Sequence, residues 1–179
     1  PFDGPSFERI EPLWRSQLAY QAVATTCLYW ATDYHPVVEW AAEQLAQNPN
    51  QLSEDLRLAL GDLAMQRADS GLLQAALAGL DDGLSAAIRA AALIIDGQWA
   101  TGQAAFEAAL KQRKGEIGGT KRLLPDSIAW FYPLSLLAQS TPRHLELARK
   151  FCVGEAGKRE PSPYAGWGRW VHAIDVRLG

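Results

Sequence analysis

Cysteine and histidine are scarce in this sequence. Its 179 residues include two cysteines and three histidines, and the cysteines Cys27 and Cys152 lie far apart in apolar segments. Neither thiol has a second cysteine or a histidine at the spacing that a zinc site requires. We therefore expect small buried thiols in a reducing compartment, with no bound metal and no cofactor.

Catalytic motifs are also absent. No Gly-x-Ser-x-Gly, His-Glu-x-x-His or glycine-rich phosphate loop occurs. The acidic pairs Asp81-Asp82 and Glu54-Asp55 lie beside predicted helix starts, where carboxylates cap helices. We therefore predict that this chain is not an enzyme. The alternative is an all-helical enzyme whose site is built from scattered polar side chains: Asp62, Arg89, His144 and Arg149.

The sequence lacks an apolar run of about 18 residues, the length that a membrane-spanning helix needs. Its alanine-rich stretch SAAIRAAALII carries Arg89 and ends before Asp96. No secretory signal pattern is present, and we expect a cytoplasmic protein that does not contact membranes. Because the chain begins at Pro1 without a methionine, tag removal, processing and excision from a longer protein all remain open.

An excess of positive charge is lacking as well. The net charge is −3, so no overall field draws the chain toward nucleic acid or anionic lipid. Basic residues do surround the glycine-rich segment KGEIGGT, residues 114–120, which we interpret as a flexible loop. The members of this basic loop, residues 111–122, are Lys111, Arg113, Lys114, Lys121 and Arg122. Solvation is the simpler interpretation of these side chains, and nucleic-acid contact is the alternative.

Runs of β-branched residues are nearly absent, and the hydrophobic share of 48% includes many alanines. This composition favours packed helices over sheet. In the segment GQWATGQAAFEAAL, which begins at Gly97, the residues Gly102, Phe106 and Ala109 share one helix face. Another apolar segment, residues 84–95, precedes the turn at Gly97. We predict two antiparallel helices that approach closely at Gly102.

The same helix, turn, helix unit recurs along the chain. We predict hairpins over residues 12–50, 51–83, 84–113 and 123–153, followed by a final helix over 163–178. One hairpin cannot bury its apolar face alone, so the units should stack as a single all-α domain over 1–179. The expected fold is a right-handed α-solenoid with a C-terminal capping helix. Most tryptophans should pack between hairpins: Trp14, Trp30, Trp40, Trp99, Trp130, Trp167 and Trp170.

These hairpins resemble the tetratricopeptide repeat, a helical hairpin of about 34 residues. Gly97 stands at the turn glycine of that repeat, and Trp99 stands at the aromatic position that follows it. Phe106 and Ala109 stand at the packing positions of the second helix, whereas Gly102 replaces the usual alanine. No copy carries the whole signature.

The resemblance implies a non-catalytic protein-interaction scaffold whose concave face holds a peptide or another domain. Late first-helix positions of such repeats face the groove, which gives a candidate partner-binding groove: Tyr29, Trp30, Asp62, Met65 and Gln66. Residues 121–151 are also similar to a helical region that precedes the motor in some large bacterial Swi/Snf-like helicases. This second resemblance implies an accessory domain whose partner belongs to the same polypeptide, and a free-standing adaptor is the alternative.

Overall fold

A computed structural model describes residues 35–48, 51–118, 124–157 and 166–178. Within these ranges every regular element is a helix, which confirms the all-α prediction for this part of the chain. The chain forms two compact units, each held by contacts among its own residues: unit 1 (residues 1–80) and unit 2 (residues 81–179). None of the described helices combines the length and the apolar character needed to cross a bilayer.

Unit 1 contains helices α1 (His35–Gln47), α2 (Glu54–Gln66) and α3 (Ser70–Leu77). Helix α3 packs against both α1 and α2. Side-chain caps define the helix starts, because Ser53 accepts a hydrogen bond from the backbone N–H of α2 and Asp69 does the same for α3. The core of unit 1 is formed by buried apolar side chains that include Trp40, Leu45, Leu56, Leu60 and Leu63.

Unit 2 contains the remaining described helices. They are α4 (Gly83–Ile95), α5 (Trp99–Ile117), α6 (Asp126–Ala129), α7 (Phe131–Gln139), α8 (Pro142–Gly157) and α9 (Trp167–Leu178). Helices α4 and α5 pair as a hairpin, and α7 packs against both of them. Helix α8 packs on α7, and α9 packs on α8. Each helix of unit 2 therefore contacts at least one neighbour along the sequence.

The α4–α5 hairpin has the turn and the close approach that its sequence predicts. Gly97 adopts a φ of 78°, which glycine reaches without the clash that a Cβ would cause. A Cβ placed on Gly102 would lie 2.5 Å from Cγ1 of Ile94 and 3.3 Å from the carbonyl oxygen of Ala90. Phe106 on the same face is fully buried. The missing side chain at Gly102 therefore allows the two helices to approach.

Because of this close approach, we expect alanine to have opposite effects on stability at two glycines of α5. We expect Gly102→Ala to lower the free energy of unfolding by about 1 kcal/mol, because the added methyl overpacks a buried contact. Gly115→Ala should raise it by about 0.5–1 kcal/mol, because a Cβ there meets no atom within 4 Å and alanine favours helix. Urea denaturation of both variants measures the difference. Equal effects of the two substitutions would contradict this interpretation of the crossing.

Helix α5 is longer than its sequence predicts. It continues through Ile117, whereas the sequence indicates a hairpin that ends at residue 113 and a loop that begins at Lys114. The reason is tertiary: the side chain of Glu116 accepts a 2.8 Å hydrogen bond from the backbone N–H of Gly83 at the start of α4. The helix ends at Gly118, which has a φ of 81°. Contacts with α4 thus hold the last turn of α5 in helical form.

The later helices begin and end at local signals. Helix α7 ends before Ser140, which adopts a left-handed φ of 53°, and α8 begins at Pro142. The sequence predicts a break at this place, because proline is tolerated only in a first turn. The capping prediction is confirmed for Asp82, which accepts hydrogen bonds from the N–H groups of Leu84 and Ser85. At α2 the cap is Ser53, and the acidic pair Glu54-Asp55 lies inside the first turn instead. Helix α9 begins at Trp167, whereas the sequence predicts a final helix over 163–178. Residues 158–165 lie outside the described ranges.

Candidate functional site

The structure describes three members of the groove that the sequence suggests. Tyr29 and Trp30 lie outside the described residues. Asp62 and Met65 are buried on α2, with only 4% and 1% of their surface exposed. Gln66 is exposed, and its side-chain amide donates a 3.1 Å hydrogen bond to Oδ1 of Asp62. Among the described members, only Gln66 therefore offers a surface to a partner.

The basic segment is in part a helix rather than a loop. Lys111, Arg113 and Lys114 lie on the last turns of α5, while Lys121 and Arg122 lie outside the described residues. Arg113 forms a 3.3 Å ion pair with Glu116 on the same helix. That pair neutralises one of the three described cations, and Lys111 and Lys114 remain exposed.

Each of the four polar residues of the enzyme alternative forms a hydrogen bond or an ion pair with another described side chain. Arg89 donates to the hydroxyl of Ser85 one turn earlier, His144 contacts the hydroxyl of Thr141, and Arg149 pairs with Asp175. Asp62, the fourth residue, accepts the hydrogen bond from Gln66. No group of three His, Cys, Asp or Glu side chains suited to a metal ion occurs in the described ranges.

An apolar groove of about 490 Å³ opens on unit 2. Its walls are formed by the C-terminal end of α4, the start of α5, helix α7 and one side of α9. We call it the Trp99 groove, and its principal lining residues are Ile95, Trp99, Leu134, Leu137, Trp170 and Arg177. Its volume lies within the range of pockets that bind small ligands.

Three large apolar side chains of this groove are exposed. Ile95 is 39% exposed, Trp99 is 41% exposed and Leu134 is 37% exposed. Isolated exposed apolar residues are common on protein surfaces, but several that line one concavity form a candidate contact surface. Tryptophan is also enriched among the residues that dominate binding energy at protein interfaces. The Trp99 groove is therefore the strongest candidate site on the described surface.

The position of Trp99 corrects the expectation that it packs between hairpins. Trp99 is the first residue of α5 and Ile95 is the last residue of α4, so both flank the turn. Helical side chains tilt toward the N-terminus, so a bulky residue at the first position extends past the helix end. A large aromatic directly after a turn glycine was the available sequence signal, but the apolar helix stripe beside Trp99 favoured packing between hairpins.

Among the described lining residues of this groove, Arg177 is the charged one and the others are apolar. It lies in the last turn of α9, where a cation also interacts favourably with the helix dipole. Its side chain is exposed, and it forms no hydrogen bond or ion pair with the described part of the chain. Arg177 therefore adds a positive charge at the edge of an apolar surface.

A second cleft, of about 380 Å³, lies beside α5, α7 and α8 and is lined in part by Tyr132 and Phe151. These two rings meet edge to face, with centroids 4.9 Å apart. The Tyr132 hydroxyl donates a 3.0 Å hydrogen bond to Oε1 of Glu107. Burial raises the pKa of Tyr132 above its usual range, and the carboxylate of Glu107 adds to the shift. These contacts hold α7 against the polar face of α5.

Next to this cleft, Cys152 is fully buried. Burial raises the pKa of its thiol to about 12, and the nearby carboxylate of Glu155 adds to the shift. The structure thus places Cys152 where the sequence predicts a small buried thiol. Cys27 lies outside the described residues.

Cys152 should consequently be unreactive in the folded protein. At pH 8 a thiol of such high pKa holds on the order of a thousandfold less thiolate than an ordinary cysteine, and thiolate is the nucleophile. We expect iodoacetamide to modify Cys152 slowly in native protein and rapidly in urea, measured by mass spectrometry in a Cys27→Ser variant. Similar rates in the two conditions would show that the thiol is accessible.

Comparison with protein-family models, curated proteins and solved structures finds no match to this chain.

Proposed function

We propose that this chain is a non-catalytic protein-interaction scaffold and that the Trp99 groove binds a segment of a protein partner. The convergence of three exposed large apolar side chains on one groove carries this proposal. The sequential packing of α4, α5, α7, α8 and α9 supports an α-solenoid as its framework, with α9 as the capping helix. Such frameworks bind extended or helical peptides along grooves between helices.

The size of the exposed surface sets the expected affinity. Covering the exposed parts of Ile95, Trp99 and Leu134 removes on the order of 200 Å² of apolar surface from water, worth about 5 kcal/mol. The apolar side chains of the partner contribute a similar amount, and association itself costs several kcal/mol. We therefore expect a dissociation constant in the micromolar range or weaker.

Substitution of Trp99 tests the proposal. A peptide selected on the full chain from a displayed library of random 16-residue peptides serves as the probe. Trp99→Ala should weaken its binding at least about tenfold, as expected for a central tryptophan at an interface. The matched control is Val153→Ala, because Val153 is 47% exposed but lies on α8 and does not line this groove.

The control should bind the peptide within about twofold of the unmodified chain. Equal loss in both variants, or failure to select any peptide whose binding depends on Trp99, would contradict the proposal. Circular dichroism of the variants verifies that each remains helical.

The scaffold is either an accessory domain or a free-standing adaptor, depending on whether the bound segment belongs to the same polypeptide or to a separate chain. The resemblance of residues 121–151 to a helicase-associated region supports a partner in the same polypeptide, which would make this chain an accessory helical domain. A partner on a separate chain would make it a free-standing adaptor. The reading frame in the encoding DNA distinguishes these forms, because the first requires ATPase motifs in the same frame.

A further inference from the structure

We infer that the segment bound by the Trp99 groove carries a carboxylate that pairs with Arg177, in addition to apolar side chains. This inference rests on the proposed function and specifies the chemistry of the partner. The described lining of the groove combines apolar side chains with one charged residue, Arg177. An apolar segment with an acidic side chain or a terminal carboxylate is complementary to that combination.

The geometry of α9 gives the spacing of the two contacts. Trp170 and Arg177 both line the groove and are seven residues apart on this helix, so they share one face. Seven residues of helix span about 10 Å. The carboxylate of the partner should therefore lie about two helical turns, or three extended residues, from the apolar side chain that contacts Trp170.

Charge gives this pairing its specificity. The chain as a whole has a net charge of −3, so it does not attract acidic segments in general. Arg177 is exposed and has no ion-pair partner in the described ranges, so a carboxylate can reach it without displacing another acid. The guanidinium can bind a carboxylate through two parallel hydrogen bonds, a geometry that lysine does not offer. A basic segment would meet repulsion at the same place.

Parallel peptide selections test the inference. The displayed library of random 16-residue peptides is selected on the full chain and on its Arg177→Glu, Arg177→Gln and Arg169→Glu variants. Arg169 is the matched control, because it lies on the same helix and is exposed but does not line the groove. Arg177→Gln removes the charge without placing an acid near the C-terminal end of α9.

We expect the full chain and Arg169→Glu to select apolar peptides with an aspartate or glutamate at a fixed spacing. Arg177→Gln should lose this preference, and Arg177→Glu should select lysine or arginine at that position. A consensus peptide from the unmodified chain should bind Arg177→Glu at least about tenfold more weakly. Replacing its acid by lysine should restore most of that loss.

Four outcomes would overturn the inference. Selection of apolar peptides without an acidic position, or an acidic preference that Arg177→Glu retains, would remove the role of Arg177 and leave the proposed function intact. Selection of peptides that bind Trp99→Ala equally well would remove the proposed function too. A dimer in sedimentation that Trp99→Ala dissociates would assign the groove to a second copy of this chain.

Discussion

Replacement of Trp167 by alanine should lower the free energy of unfolding by about 3–5 kcal/mol, the range for a large aromatic removed from a core. Trp167 is fully buried, and its ring stacks on that of Trp130 with centroids 3.8 Å apart and planes 8° from parallel. Its indole N–H donates a 3.1 Å hydrogen bond to Oδ1 of Asp126, and Phe151 meets the ring edge to face. One side chain thus joins α9 to α6, to α8 and to the residue between α6 and α7.

Two other substitutions provide stability changes with which the effect of Trp167→Ala can be compared. Trp167→Phe keeps an aromatic ring but loses the hydrogen bond to Asp126, and we expect a cost of about 1–2 kcal/mol. Trp99→Ala should cost at most about 1 kcal/mol, because 41% of Trp99 is already exposed. Urea denaturation followed by circular dichroism measures all three. A smaller effect for Trp167→Ala than for Trp99→Ala would contradict the assignment of Trp167 to the core.

Replacement of Arg57 by methionine should lower the free energy of unfolding by about 2–4 kcal/mol. Arg57 lies in the first turn of α2 and is 7% exposed. Its Nε donates a 3.0 Å hydrogen bond to the carbonyl oxygen of Ala76, and its Nη2 donates to that of Ala78. These carbonyls end α3 and lack partners within that helix, so Arg57 caps it from outside.

Methionine fills similar volume but leaves both carbonyl oxygens without the guanidinium donors. Arg57→Lys keeps the charge and loses the planar fork, so it should cost less than methionine but remain measurable. Arg67→Met is the control at an exposed arginine of unit 1, with an expected change within about 0.5 kcal/mol. If Arg57→Met and Arg67→Met destabilised the protein equally, the capping role of Arg57 would be wrong.

The α4–α5 hairpin was predictable from the sequence because its determinants are local. The positive φ at Gly97, the missing side chain at Gly102 and the apolar spacing of Phe106 and Ala109 all lie within thirteen residues. Caps were predictable for the same reason, since Asp82 acts on the N–H groups two and three residues later. Patterns of this range depend on backbone geometry and on side chains a few residues away in the sequence.

Long-range contacts were not predictable in this way. The last turn of α5 depends on the hydrogen bond between Glu116 and Gly83, which are 33 residues apart. The cap on α3 comes from Arg57, about twenty residues earlier in the sequence. An arginine on a helix ordinarily indicates a solvated position, so its sequence context carried no sign of burial.

The candidate site was missed for a related reason. Spacing identifies which residues share a helix face, but it does not show where a neighbouring helix ends. Trp99 and Leu134 belong to separate helices, and only the packing of α4, α5, α7 and α9 forms a groove between them. The groove suggested by resemblance instead included Met65, which the fold places in the core.

The central claim is that a protein segment occupies the Trp99 groove, and methyl NMR of the full chain titrated with the selected peptide tests it most directly. We expect the methyl resonances of Ile95 and Leu134 to shift with peptide concentration, while those of Val153 remain unchanged. Both groups of methyls are exposed in the free protein, so the comparison reports location rather than accessibility. Shifts confined to methyls outside the groove, with Ile95 and Leu134 unaffected, would contradict the claim.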